Sequence, residues 1–202
     1  MKRLSKYLWE IALRLKRGKV IVIKPTMRCN LNCPYCIVDK TLNTRPKFKE
    51  MPVMSWLTLI GEEIWNGKVK LLVISGGEPG LYKDLHAIVN YAVDNGILVQ
   101  IISNITHLSE FDKIKDSWRV VFLSTYHPVG SLKRFMFGYK ELSSRFYVTV
   151  RELRPKGDMN PRYISFAKTI PIKDEQSDKE MEIYAPDGTK YNSCLELDKA
   201  GH

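Results

Sequence analysis

Three cysteines stand within eight residues, Cys29-Asn-Leu-Asn-Cys33-Pro-Tyr-Cys36, and a fourth, Cys194, lies far along the chain. A disulfide framework spreads its partners more widely, so the cluster reads as a set of thiolate ligands in a reducing compartment. A structural zinc site is closed by four ligands. Here the fourth would come from distant Cys194 or from a histidine, and none of His86, His107 or His127 is local. An ordinary iron–sulfur carrier also uses four cysteines. Three sulfurs leave one iron of a 4Fe–4S cluster open, and an open metal position marks a site that binds something else.

Such a loop needs a rigid support, and the hydropathy pattern supplies one. Short apolar, β-branched runs at residues 20–24, 70–75, 98–103, 120–124 and 146–150 read as strands, with a sixth at 163–169. Helical periodicity fills the intervals at about 55–65, 84–95 and 132–142, with a short helix near 110–115. Within 55–65 the candidate buried positions are Leu57, Ile60, Ile64 and Trp65. Strands alternating with helices at this pitch imply parallel βα units with right-handed crossovers. The strands look apolar on both faces, which predicts an α/β fold built as a partial parallel (β/α)6-type barrel. An open doubly wound sheet is the alternative. Residues 2–17 form an amphipathic N-terminal helix, and the stretch around Asp187-Gly188 reads as a short C-terminal hairpin. The expected organisation is an N-terminal helix at 1–18, a core at 19–170 and a hairpin with a polar tail at 171–202.

In parallel β/α architectures ligands bind at the C-terminal ends of the strands. The cysteine loop, the Gly76-Gly77-Glu78-Pro79 turn, Ser103-Asn104, Ser124-Thr125 and Arg151-Glu152 follow strands one to five in turn, so all five open on one mouth. The CxxxCxxC spacing, with aromatic Tyr35 before the last cysteine, resembles the signature loop of the radical S-adenosylmethionine (SAM) superfamily. Gly76-Gly77-Glu78-Pro79 after strand two resembles that family's GGEP element. The likeness covers roughly residues 20–152.

The resemblance implies that Cys29, Cys33 and Cys36 hold a 4Fe–4S cluster whose open iron binds the amine and carboxylate of SAM. It also implies reductive cleavage of SAM to methionine and a 5′-deoxyadenosyl radical, which abstracts hydrogen from a substrate. On that reading Gly76, Gly77, Glu78 and Pro79 hold the SAM amine, Arg151 takes its carboxylate, and Tyr35 packs near adenine. Ser103, Asn104 and Ser124 are candidate ribose or carboxylate contacts. A one-electron reductant such as flavodoxin or ferredoxin is the implied partner. Each assignment has a plainer counterpart. The glycine pair could be only a tight turn, Ser103-Asn104 could cap the following helix, and Arg151 could be neutralised by Glu152. His127, in Thr125-Tyr126-His127-Pro128, is a candidate catalytic acid or base or simply a loop histidine held by Pro128. Cys194 is open between a buried thiol, a substrate-facing residue and a remnant of a longer tail; the eight residues after it are too few for an auxiliary-cluster extension.

The substrate is not written in these motifs. A protein glycine (the chemistry of glycyl-radical activating enzymes), a nucleoside-like molecule, and a peptide or carbohydrate all remain open. A non-catalytic iron–sulfur protein or a nucleic-acid binder is the reading from a different class. The chain has 202 residues, 44% hydrophobic and 27% charged, an ordinary globular composition that argues against disorder. No apolar run reaches the ~18 residues of a membrane span, and no secretory signal is evident, so a cytoplasmic location is expected, and the resemblance implies an oxidoreductase. Net charge is +10, and residues 1–50 hold 13 Lys or Arg against 3 Asp or Glu, so the whole excess lies there. Such a patch suits an anionic partner or substrate, or a basic surround for an anionic cluster. The apolar stripe Leu4, Leu8, Ile11 and Leu15 of the N-terminal helix is expected to dock on the core, with membrane association possible but not favoured.

Overall fold

The computed structural model describes residues 2–36, 49–66, 69–154, 168–171 and 182–192. Strands β1 (Lys19–Ile23), β2 (Val69–Ile74), β3 (Leu98–Ser103), β4 (Val120–Tyr126), β5 (Tyr147–Arg154) and β6 (Lys168–Pro171) lie side by side in sequence order. Every neighbouring pair among them is parallel. The described helices are α1 (Lys2–Leu15), α2 (Val53–Trp65), α3 (Leu85–Asp94) and α4 (Leu132–Arg145). This is the expected α/β architecture, with consecutive strands adjacent as in a partial barrel. Of the expected sixth strand, residues 163–167 lie outside the described residues; β6 is described from Lys168 to Pro171. The short helix expected near 110–115 is a single 3-10 turn, Phe111–Lys113.

The hairpin is present, and it does more than the sequence pattern indicated. Strand β7 (Glu182–Tyr184) turns at Asp187-Gly188 into antiparallel β8 (Lys190–Tyr191). Gly188 supplies the positive φ the turn needs, 84°. Strand β7 then joins the main sheet, parallel to β1, pairing Val22 with Ile183. The sheet thus has eight described strands in the order β6-β5-β4-β3-β2-β1-β7-β8.

The two faces of the sheet differ. Ile21, Ile23, Leu72, Ile74, Val99, Ile101, Val120 and Phe122 pack into the helix layer with Trp56, Ile60, Leu85, Ile88 and Phe135. Val22, Met27, Ile183 and Ala185 form a separate small cluster on the opposite, inner face. Towards the strand ends that inner face opens, and Gln100, Ile102, Leu123 and Thr125 are only half-buried. The expectation of strands apolar on both faces therefore holds near their starts and fails near their ends, where ligands bind in this architecture.

Two helix faces also depart from the expectation. In α2 the buried residues are Trp56 and Ile60, with Leu57 and Ile64 packed beside them, while Trp65 is exposed. Trp56, Ile60 and Ile64 follow i, i+4, i+8 spacing, and Trp65 lies a further 100° around the axis. In α1 the stripe chosen from the sequence faces outward: Ile11 is exposed and Leu15 retains 76% of its accessible surface. The Leu4 side chain lies outside the described part. The docked face is instead Ser5, Trp9, Ala12, Leu13 and Lys16. Trp9 and Leu13 carry more apolar area to that side than any leucine pair. The Lys16 ammonium donates to the Gly96 carbonyl, and the Lys6 ammonium lies 5.9 Å from the centre of the Tyr147 ring. No helix among the described residues is long and apolar enough to cross a membrane.

Candidate active site

The chain leaves β1 through buried Lys24, Thr26 and Met27 and enters the cysteine loop. Thr26 is bonded twice: its hydroxyl donates to the Glu50 carboxylate and accepts the Arg28 N–H at 3.0 Å. The Arg28 guanidinium forks onto Glu50 at 2.7 and 3.0 Å and donates to the Leu81 carbonyl at 2.9 Å. Bidentate pairing of this kind fixes orientation as well as charge. Farther along, Leu31 N–H donates to Cys29 Sγ at 3.4 Å, and Cys36 N–H to the Cys33 carbonyl at 3.1 Å.

Cys29, Cys33 and Cys36 are free thiols on this loop. Burial pushes the Cys33 thiol up to about 11, helped by the charges of Cys36 and Cys29. Cys29 is also raised, by burial first and then by Glu78 and Cys36. Three neighbouring thiolates are thus unfavourable on their own, and a bound cationic metal centre reverses that balance. Among the described residues no three His, Cys, Asp or Glu side chains converge on a point that would hold a single metal ion. That arrangement is compatible with a multi-iron cluster, in which each sulfur binds a different iron.

The glycine turn after β2 is keyed to the same segment, backbone against backbone. Gly77 N–H donates to the Thr26 carbonyl at 3.0 Å and Glu78 N–H to the Arg28 carbonyl at 2.8 Å. A Cβ on Gly77 would fall 2.1 Å from the Arg28 oxygen, and one on Gly76 would fall 2.4 Å from the Thr26 oxygen. Gly76 also has φ +117°, in the region that favours glycine. Among the described residues no hydrogen bond ends on the carbonyl of Gly76 or Gly77. The pair is therefore a tight turn that its close packing on the cysteine loop requires.

Glu78 is wholly buried. Its Oε1 accepts from the Ser103 hydroxyl at 2.7 Å and Gly80 N–H at 3.1 Å, and its Oε2 accepts from Asn104 N–H at 2.8 Å. Burial pushes its carboxyl up to about 7, against the pull of these three donors. Glu78 caps the 3-10 turn Pro79–Leu81 and ties β2 to the end of β3. Its carboxylate is engaged in this internal network. Ser103 donates to Glu78 and accepts Ile105 N–H at 2.8 Å. That bond helps hold Ile105 at φ 50°, a strained value for a β-branched residue.

Strand alternation and register place the other candidates. Ser103 pairs with Ser124 in register, on the helix-facing side with Phe122 and Tyr126. The Ser124 hydroxyl is fully buried and has no hydrogen-bond partner among the described residues. Thr125 and Arg151 form the next rung, on the inner face. Arg151 makes no hydrogen bond or ion pair with any described residue, and Glu152 points to the opposite side of β5, so it does not neutralise Arg151. Asn104 bridges strand end and cysteine loop: its amide donates to Asn30 Oδ1 at 2.9 Å and lies 4.0 Å from Cys29 Sγ. Thr106 closes the triangle, accepting from Asn30 at 2.8 Å and donating to Asn104 at 2.6 Å.

Tyr35 stacks on His127, ring centres 6.0 Å apart and planes 8° from parallel. His127 Nδ1 lies 3.4 Å from Cys33 Sγ, and burial pulls its imidazole down to about 4, so it is neutral at physiological pH. Cys194 lies outside the described residues. Sequence reasoning missed Lys24, Gln100, Arg28, Asn30 and Thr106. Counting alternate residues along β1 and β3 would have marked Lys24 and Gln100 as inward-facing; the other three act through contacts distant in sequence.

The parallel α/β sheet thus carries a three-cysteine loop, a glycine-rich turn and, at the end of β5, an arginine with no partner among the described residues. Comparisons with known proteins identify the family of the chain. A family model described as the radical SAM superfamily matches residues 23–158, and the chain belongs to that superfamily. It is 34% identical over 79 residues to the S-adenosylmethionine-dependent nucleotide dehydratase of Selenomonas ruminantium, covering 39% of this chain and 27% of that protein. It is 30% identical over 109 residues to the 7-carboxy-7-deazaguanine synthase of Aquifex aeolicus, covering 54% and 45%. Among solved structures, Streptococcus suis SuiB bound to precursor peptide SuiA superposes with a TM-score of 0.57 at 18% identity, over 78% of this chain and 37% of that one. The chain spans less than half the length of each of these proteins.

Proposed function

We propose that this chain binds a 4Fe–4S cluster through Cys29, Cys33 and Cys36 and cleaves SAM reductively to start a radical reaction. Bound there, the cluster supplies one electron to the SAM sulfonium, yielding methionine and a 5′-deoxyadenosyl radical that takes a hydrogen atom from substrate. The observation that carries this reading is the interlock of the cysteine loop with the Gly76-Gly77 turn, through Gly77 N–H to the Thr26 carbonyl and Glu78 N–H to the Arg28 carbonyl. The Gly76 and Gly77 carbonyls accept from the SAM ammonium, and unpaired Arg151 on the inner face takes the carboxylate. The Tyr35 ring lies beside adenine. Pro79 starts the turn that Glu78 caps, and Ser103, Asn104 and Glu78 hold the acceptor turn in place from behind. Ser124 lies on the same helix-facing side as Ser103, so it shapes the wall rather than the inner face.

An external one-electron donor of the flavodoxin or ferredoxin kind reduces the site, and the chemistry suits a reducing compartment such as the cytoplasm. Of the relatives that share 30–34% identity with parts of the chain, a nucleotide dehydratase and a deazaguanine synthase support a nucleotide or nucleobase-like substrate, and two peptide cyclases support a peptide as the second reading.

The test is anaerobic reconstitution with iron and sulfide, then reduction with dithionite in the presence of SAM. We expect 5′-deoxyadenosine and methionine in equal amounts, absent in Cys33→Ala, and a rate that nucleotides raise more than peptides do. Iron content and SAM cleavage unaffected by Cys33→Ala would defeat the cluster assignment.

A further inference from the structure

We propose that His127 is a positioning residue for the iron–sulfur site: its Nδ1–H donates to the Cys33 sulfur, and the bond raises the reduction potential of the cluster that Cys33 holds. The inference rests on the proposed function and extends it to a residue outside both sequence motifs.

The geometry is specific to one ring atom. Nδ1, not Nε2, lies 3.4 Å from Cys33 Sγ, within the range of a hydrogen bond to sulfur. The ring is held from both sides. Tyr126 is buried at the end of β4 and paired in register with Glu152 of β5. On the other side Gly130 N–H donates to the His127 carbonyl at 2.8 Å, and Ser131 then caps α4. Gly130 packs so closely on the cysteine loop that a Cβ there would meet Leu31 Cδ2 at 3.3 Å. The Tyr35 ring covers the imidazole in near-parallel stacking. The turn between β4 and α4 thus packs against the loop between Cys29 and Cys36, which brings Nδ1 and Sγ together.

Chemistry then fixes the direction of the bond. A sulfur bound to iron has no proton and only accepts, so the attractive arrangement puts an imidazole proton on Nδ1. A donor aimed at a ligand sulfur favours the state with more negative charge on the cluster, which is the reduced one. Removing the donor therefore makes the cluster harder to reduce.

Side-chain replacements distinguish this from simple packing. The Asn amide nitrogen occupies the position of His Nδ1, and the Gln amide nitrogen that of Nε2. The measurement is a redox titration of the reconstituted full chain followed by the EPR signal of the reduced cluster, without SAM. His127→Asn should hold the wild-type midpoint. His127→Gln and His127→Phe should shift it lower, with the reduced-to-oxidised ratio at a fixed poise falling roughly three- to tenfold. Equal midpoints for Asn and Gln variants, or an unshifted Phe variant, would overturn the proposal. If Phe fails to take up iron, the Asn–Gln comparison still decides. A wild-type chain that forms no cluster refutes the proposed function instead, and the two failures are told apart by the iron content of the unsubstituted protein.

Discussion

The mouth of the sheet and the N-terminal helix are held by different kinds of contact. At the mouth, backbone meets backbone: the turn at Gly76-Gly77 presses on the carbonyls of Thr26, Met27 and Arg28, and one buried carboxylate gathers three donors from β3 and the 3-10 turn. Helix α1 rests on β5 and its surroundings through Trp9, Leu13 and two lysines, with Ile11 and Leu15 turned outward. The first arrangement has no slack, because a carbonyl cannot move without its strand. The second has much, because flexible side chains reach over a smooth surface. The comparison teaches that the fit of the turn on the cysteine loop is set by backbone contacts, whereas the seat of α1 is set by side chains.

The sharpest way to break that contrast is Gly77→Val. Its Cβ would stand 2.1 Å and 2.5 Å from two backbone oxygens, so the cysteine loop must shift or the turn must open. We expect a loss of at least about 3 kcal/mol in urea unfolding and little iron after reconstitution. Wild-type stability and iron uptake would show that the two loops move independently.

Glu78 comes next. Glu78→Ala strands the Ser103 hydroxyl and the N–H groups of Gly80 and Asn104 in a buried space, at a cost of about 3 kcal/mol. The pH dependence carries a second signature. Folding raises this carboxyl from 4.5 to about 7, so the folded chain holds the proton more tightly than the unfolded one. That contribution is complete below about pH 4.5 and is lost as pH rises through 7. Measured by urea unfolding of the metal-free chain, the stability of wild type relative to Glu78→Ala should fall between pH 4.5 and 7.5, by up to about 3 kcal/mol. A flat difference would mean that the three donors outweigh burial and keep the carboxylate ionised throughout.

The smallest effects belong to α1. Trp9→Ala removes the half-buried ring that docks the helix, and about 2 kcal/mol is expected. Leu15→Ser changes a side chain that is 76% exposed and should stay within about 0.5 kcal/mol. The reverse order in thermal melts would show that the outward stripe is the docked one after all.

Much of the site was legible before any coordinates. The spacing of Cys29, Cys33 and Cys36 and the order of the βα units placed the thiol loop and the Gly76-Gly77 turn after adjacent strands, where the structure has them. The helical period of α3 marked Leu85, Ile88, Val89 and Ala92, and all four are buried. Less was legible where a residue's direction matters. Ser103 and Ser124 looked equivalent to Arg151 as residues at strand ends, yet they face the helices while Arg151 faces inward. His127 read either as an acid or base at the mouth or as a loop histidine, and its contact with Cys33 was not legible.

By itself the sequence determined which segments become strands and helices, and which chemically capable residues stand at their ends, because those follow from local periodicity and spacing. Only the tertiary structure decided which face each residue takes and which distant group it meets. A one-residue step in a strand reverses a side chain, and about 100° of rotation changes the face of a helix. Those choices are settled by packing among segments 50 to 100 residues apart, as with Thr26 against Gly77 and Cys33 against His127.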